Sequence, residues 1–170
     1  MSRLLALIAL IALTLPAPLA AQSPQEAAAQ NMQLAAELCL RNHRTESDIP
    51  QAFAAAGFAV SPYTDSGAFE FTAPGVTGTV DTLPPSAFCS VQSTDVPLEM
   101  AEAIGRALAD RLFPGAVQEG GPEHVVGTPL APCEGLQIFA TQELLTLSYA
   151  AAGNSGECLN DGTSAILIRM

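Results

Sequence analysis

Apolar residues recur through Glu26–Asn42 at helical spacing: Ala28, Met32, Ala35 and Cys39 fall on one face. The stretch is rich in Ala, Leu, Glu and Gln and lacks Gly and Pro, so the pattern predicts a helix with Cys39 turned to the core. A polar break follows, in which Thr45 and Asp48 have the spacing of a capping box. A second, shorter helix is predicted over Ser47–Ala56, with Ile49, Phe53 and Ala56 inward and Gly57 as its C-cap. The period then changes from 3.6 to two. Phe58 and Val60, Phe69 and Phe71, and Val76, Gly78 and Val80 each alternate with polar or small neighbours. Such alternation predicts antiparallel strands with one buried face. Ala87, Cys89 and Val91 share a face of the next strand, Ala87–Gln92. A third helix is predicted after Pro97, capped by Thr94 or Asp95, with Met100, Ile104, Ala107 and Leu108 inward. On its outer face Glu102 and Arg106 are spaced for an i,i+4 pair. Pro114-Gly115 stops it, and Gln118–Pro122 has loop chemistry.

The last third returns to strand periodicity at Leu136, Ile138 and Ala140 and at Leu145, Leu147 and Tyr149, with Val125-Val126 a weaker candidate. Ala165–Ile168 is wholly apolar, the signature of a central strand covered on both faces. The order helix, helix, strands, helix, strands predicts an α+β fold: an antiparallel sheet with three helices packed on it. The halves invite comparison as a diverged repeat of helix followed by strands. The layout is analogous, at the level of fold alone, to that of the β-lactamase inhibitor protein.

The N-terminus has a different character. Arg3 precedes an apolar run, Leu4–Leu15, which Pro16 and Pro18 end before the small pair Ala20-Ala21. This is the layout of a secretory signal peptide over residues 1–21, leaving a single domain over 22–170. The predicted location is periplasmic or secreted. An oxidising compartment makes the four cysteines, Cys39, Cys89, Cys133 and Cys158, two disulfides rather than a metal site. None forms a Cys-x-x-Cys pair. Of the three possible pairings, Cys39–Cys89 ties the first helix to the central strand, and Cys133–Cys158 brackets the last hairpin strands; this is the expected connectivity, with both bridges facing inward. The helical cysteine, the Ala55–Phe58 helix end (Ala-Ala-Gly-Phe) and the Phe88–Val91 strand (Phe-Cys-Ser-Val) resemble small exported proteins of alphaproteobacteria. That resemblance implies export and paired cysteines and carries no activity with it.

The formal charge is −11, and it becomes more negative once Arg3 leaves with the signal. There is no lysine. Nucleic acid and anionic membrane surfaces are poor partners for such a chain, since both demand cations. The partner that suits it is a basic protein or ligand, steered by charge. The exposed acids expected to act are Asp65, Glu70, Asp81, Glu99, Glu102, Asp110, Glu119, Glu123, Glu134 and Glu143.

Catalytic patterns are sparse. Gly153-Asn154-Ser155-Gly156 has the wrong spacing for a nucleophile elbow and predicts a turn. His43 and His124 lie in predicted loops without metal-ligand spacing to a partner, and a solvated histidine is the expected state of each. A Glu123/His124 acid–base pair is the catalytic alternative. The absence of Trp removes the usual platform for sugar stacking. No catalytic residue, cofactor site or metal site is assigned. The expected function is an exported, monomeric, non-enzymatic binding or inhibitor-like module. The alternative is a small periplasmic hydrolase with a dispersed site.

Overall fold

Ser23 opens the first helix, α1 (Pro24–Arg41), with a capping box: its hydroxyl accepts from the Glu26 amide, and the Glu26 carboxylate accepts from the Ser23 amide. The helix thus starts two residues before the expected Glu26. Ala28, Met32, Ala35 and Cys39 are all fully buried, as their spacing predicts. At the far end the Asn42 side chain donates to the Leu38 carbonyl, satisfying an orphan acceptor of the last turn. The computed structural model describes residues 22–63, 67–83, 87–121, 123–153 and 155–170. The leader over residues 1–21 and Asp65 lie outside them.

A 3₁₀ turn (Glu46–Asp48) leads directly into α2 (Ile49–Ala55). The expected capping box does not form, since Thr45 makes no side-chain cap hydrogen bond. The 3₁₀ turn intervenes and brings the Asp48 amide back to the Thr45 carbonyl. Ile49 and Phe53 are buried, whereas Ala56, expected inward, lies exposed past the end of the helix. Gly57, at φ +91°, terminates it.

The strands are β1 (Ala59–Pro62), β2 (Ala68–Ala73), β3 (Val76–Asp81), β4 (Phe88–Ser93), β5 (Val117–Glu119), β6 (Leu136–Ala140), β7 (Glu143–Ala150) and β8 (Ser164–Arg169). They form one antiparallel sheet in the order β1-β2-β3-β4-β8-β7-β6-β5. Two four-stranded meanders thus meet at β4 and β8. The fold is α+β, as the element order predicts. β8 is central, with Ala165, Ile166 and Ile168 buried and Leu167 half-buried. β5 was expected as loop. It holds one apolar residue in three and sits at the sheet edge, paired only with β6. Val125-Val126 is not a strand: it lies in an exposed turn bounded by Gly127 and has no pairing partner.

At the end of β4, Ser93 organises the entry to α3 (Leu98–Leu112). Its hydroxyl donates to the Gly75 carbonyl and accepts from the Asp95 and Val96 amides. Pro97, rather than Thr94 or Asp95, occupies the N-cap position. The buried face of α3 is Leu98, Ala101, Gly105, Leu108 and Ala109. Of the residues expected inward, Leu108 is buried, Ile104 is half-buried, and Met100 and Ala107 are exposed. Gly105 sets this rotation. A Cβ there would lie 2.4 Å from the Tyr149 hydroxyl oxygen, so the bare backbone lets α3 settle against β7. A mid-helix glycine costs about 1 kcal/mol, which this contact offsets. Arg106 does not pair with Glu102; it reaches across to Glu119 on β5.

One core runs under both halves. Beneath β1 and β2, Phe53 packs against Phe71, Phe58 and Phe69 at centroid distances of 4.3, 5.0 and 5.9 Å. Beneath β6–β8 the filling is aliphatic: Leu136, Ile138, Leu145, Leu147, Ile166 and Ile168. Cys39–Cys89 joins α1 to β4 inside this core, facing inward as expected; Cys133–Cys158 joins two loops at its margin, with Cys133 partly buried against the core and Cys158 exposed rather than inward. Both are the expected pairings. By loop length they contribute about 4 and about 3.5 kcal/mol in the chain-entropy model. Glu37 links α1 to α3 by accepting from Arg111 and Arg41, each at 2.6 Å. Arg111 first, then Arg41, holds its carboxyl below the usual range.

Candidate functional site

Two long connections dominate the second half. The first runs from Gly120 to Gly135 between β5 and β6, and its ends are drawn together by a 2.8 Å bond from the Gly120 amide to the Gly135 carbonyl. Long loops with closed ends and internal packing are commonly functional. The second runs from Ala151 to Thr163 between β7 and β8. Cys133–Cys158 fastens one to the other.

Glu134 organises the first loop. One carboxylate oxygen accepts from the His124 Nδ1 at 2.9 Å and from the Gly121 amide at 3.2 Å; the other accepts from the Ala131 amide at 2.7 Å. The Ala131 amide is the largest influence holding this carboxyl below its ordinary pKa, with the Gly121 amide and His124 adding to it. Gln137, reaching up from β6, donates to the Gly121 carbonyl at 2.8 Å. The His124 side chain is only 7% exposed, pressed against Gly120. It is therefore not the solvated loop residue expected from sequence. Nor does it pair with Glu123, which is exposed; its carboxylate lies ten positions further along the chain.

This bonding fixes the base of the loop and leaves its tip outside. The Thr128 amide and hydroxyl both donate to the Val125 carbonyl, closing a turn over Val126 and Gly127. Gly127, at φ +91°, occupies the turn position that demands a positive φ. Val125 and Val126 are 67% and 77% exposed, the highest values among the exposed large apolar side chains of the described residues. Leu130, on the same loop, and Leu159, beside Cys158, are exposed too.

His43 is likewise largely covered. Its Nδ1 donates to the Leu40 carbonyl at 2.8 Å, so a neutral ring carries its lone pair on Nε2. That atom is buried, lies 3.4 Å from the Glu143 carboxylate and has no hydrogen-bond partner among the described residues. Phe113 meets the ring edge-on at 5.6 Å. Arg44, alongside, donates to the Thr141 carbonyl, so the two residues pin the end of α1 to the β6–β7 turn. Among the described residues neither histidine contacts a hydroxyl, and all four cysteines are in disulfides. Both histidine contacts are suited to holding loops together. The segment around Gly153 and Gly156 is a glycine-rich bend, with Gly153 and Gly156 both at positive φ.

The sheet face turned away from the helices carries Thr72, Thr77, Thr79, Gln92 and Ser148 between its few charges, Glu70, Asp81 and Arg169. A shallow depression of about 340 Å³ lies on it, lined by Thr79, Phe88, Ser90, Gln92 and Leu167 together with the glycines of the second loop. It offers hydroxyls and small apolar groups and little charge.

No helix among the described residues is long and apolar enough to cross a membrane, and no cluster of three or more metal-binding side chains occurs among them. The two disulfides point to a compartment outside the reducing cytoplasm. No family model, curated protein or solved structure matches the chain.

Proposed function

We propose that this protein is an exported, non-enzymatic binding module of the inhibitor-like kind, working in the periplasm or outside the cell, and that its partner is cationic. The observation that carries this reading is how the few cations are used. Arg41 and Arg111 are both committed to Glu37, and Arg106 to Glu119. Glu70, Glu99, Glu102, Asp110, Glu123 and Glu157 have no cationic side chain paired with them among the described residues. The unneutralised acids give the molecule an outward negative field, which raises the encounter rate with a basic surface and lowers it with an acidic one. Export fits the disulfides and the Arg3, Leu4–Leu15, Ala20-Ala21 pattern.

Salt decides the matter. Immobilised protein lacking residues 1–21 is exposed to periplasmic extract at low ionic strength and again near 0.5 M salt, where the Debye length falls to about 4 Å. The expected result is retention of a basic protein at low salt and its release at high salt. Retention independent of salt, or retention of an acidic protein, overturns the reading.

A further inference from the structure

We infer that the Val125-Val126 tip, together with Leu130 and Leu159, is the contact surface of this protein, and that it inserts into an apolar recess rimmed by Lys or Arg on a foreign protein. The inference rests on the binding reading above and names its site.

Four observations converge on the tip. The first is exposure: two adjacent β-branched residues stand 67% and 77% open at the end of a long loop. A disordered or merely tolerant loop has small polar residues at its tip; large apolar ones exposed together mark interaction surfaces. The second is preorganisation. Glu134, His124 and Gln137 bond the loop base, Thr128 closes the turn, and Cys133–Cys158 anchors the loop to its neighbour. A tip held in one conformation loses less entropy on binding than a free loop would. The third is the charge around it. From Leu112 to Ile168 the chain has neither Lys nor Arg, while Glu123 stands beside the tip and Glu157 beside the cross-link. The loop that carries the tip thus offers carboxylates and neither Lys nor Arg, which fits a recess with a cationic rim. The fourth excludes the simplest rival occupant. A second copy of this chain would bring the same acidic excess to the contact, with no lysine and with neither Lys nor Arg between Leu112 and Ile168 to neutralise it.

The test uses the chain without residues 1–21 and a defined probe, an amphipathic helical peptide of leucine and lysine, with its leucine–glutamate counterpart as control. Backbone amide shifts are followed by NMR during titration. The expected outcome is that the leucine–lysine peptide moves the amides of Glu123–Leu130 and of Glu157–Leu159, that the glutamate peptide does not, and that V126S weakens binding by roughly tenfold while M100S on α3 leaves it unchanged. V126S should melt with the wild type, because the side chain it replaces lies outside the core. Shifts centred on Thr79, Ser90 and Leu167 would overturn the tip while leaving the charge reading standing. Equal binding of both peptides would overturn the charge reading. Failure of the leucine–lysine peptide to bind would overturn the tip as a site for apolar cationic surfaces.

Discussion

The two halves of the sheet have the same strand arrangement and different connections. In β1–β4 the one described hairpin turn, Pro74-Gly75, is minimal, and Phe58, Phe69 and Phe71 go inward around Phe53, while Tyr63 and Leu83 stay exposed at strand ends. In β5–β8 the β6–β7 turn, Thr141-Gln142, is equally short, but the other two connections are long loops that put valine and leucine outward and need a carboxylate and a disulfide to hold their shape. The first half is stabilised by packing. The second has its outer loops ordered by directional bonds, which can fix a surface without burying it. The difference teaches where to look for function: both halves leave apolar side chains exposed, but the most exposed, Val125 and Val126, sit on a loop whose base is bonded in place.

The comparison breaks most sharply at Phe53. Phe53→Ala removes the ring that all the other cluster members touch and should cost about 4 kcal/mol of global stability, read as a lowered denaturant midpoint. An effect below about 1 kcal/mol would show that packing does not dominate the first half. Next comes Cys133→Ser with Cys158→Ser. Loop length sets its cost near 3.5 kcal/mol in the chain-entropy model. Its distinguishing sign is local: amide exchange should quicken over Gly120–Gly135 at conditions where the Phe53 cluster stays protected. Uniform loss of protection across both halves would erase the contrast.

The smallest effect is expected at Glu134. Its carboxyl is held below the ordinary value of 4.5, chiefly by the Ala131 amide. A depressed carboxyl contributes stability that is complete above the unfolded-state pKa and is lost as pH falls through the folded one. Acidification from pH 6 to pH 3 should therefore lower the protection of the Gly121 and Ala131 amides, read as exchange relative to the intrinsic rate at each pH. Glu134→Gln should show the lower protection already at pH 6 with little shift in the global midpoint. Protection that does not change with pH in the wild type would show that Glu134 does not hold the loop.

Much of the fold was legible because it is local. The period along Ala28–Cys39 fixes the buried face of α1, and the Phe69/Phe71 and Leu145/Leu147 alternations fix the faces of β2 and β7. Misreadings arose where the deciding contact is distant. The face of α3 is set by Tyr149 filling the space over Gly105, which no periodicity within the helix reveals. Arg106 prefers Glu119 to the sequence-near Glu102 for the same reason. The histidines read as solvated because the groups that cover them, Gly120 and Glu134 for one and Phe113 and Glu143 for the other, come from elsewhere in the chain. At the candidate site the residue types were visible, but an apolar pair looks the same in sequence whether it is buried or presented. Only Glu134 and the Cys133–Cys158 bond show which.

The place of β8 decides which contacts join the two halves of the sheet. It is the last strand in chain order, yet it separates β4 from β7 at the middle of the sheet. Until it docks, the two meanders share no backbone hydrogen bond, and β4 presents its row of donors and acceptors along Phe88–Ser93 as an open edge. Such an edge pairs with whatever strand arrives, including one from another chain. Closing it requires contacts between Cys89 and Ile168, far apart in sequence, and non-local pairing of that kind slows folding. A chain interrupted before Ser164 is then two unjoined sheets, with the buried Cys39–Cys89 bridge protecting only the first.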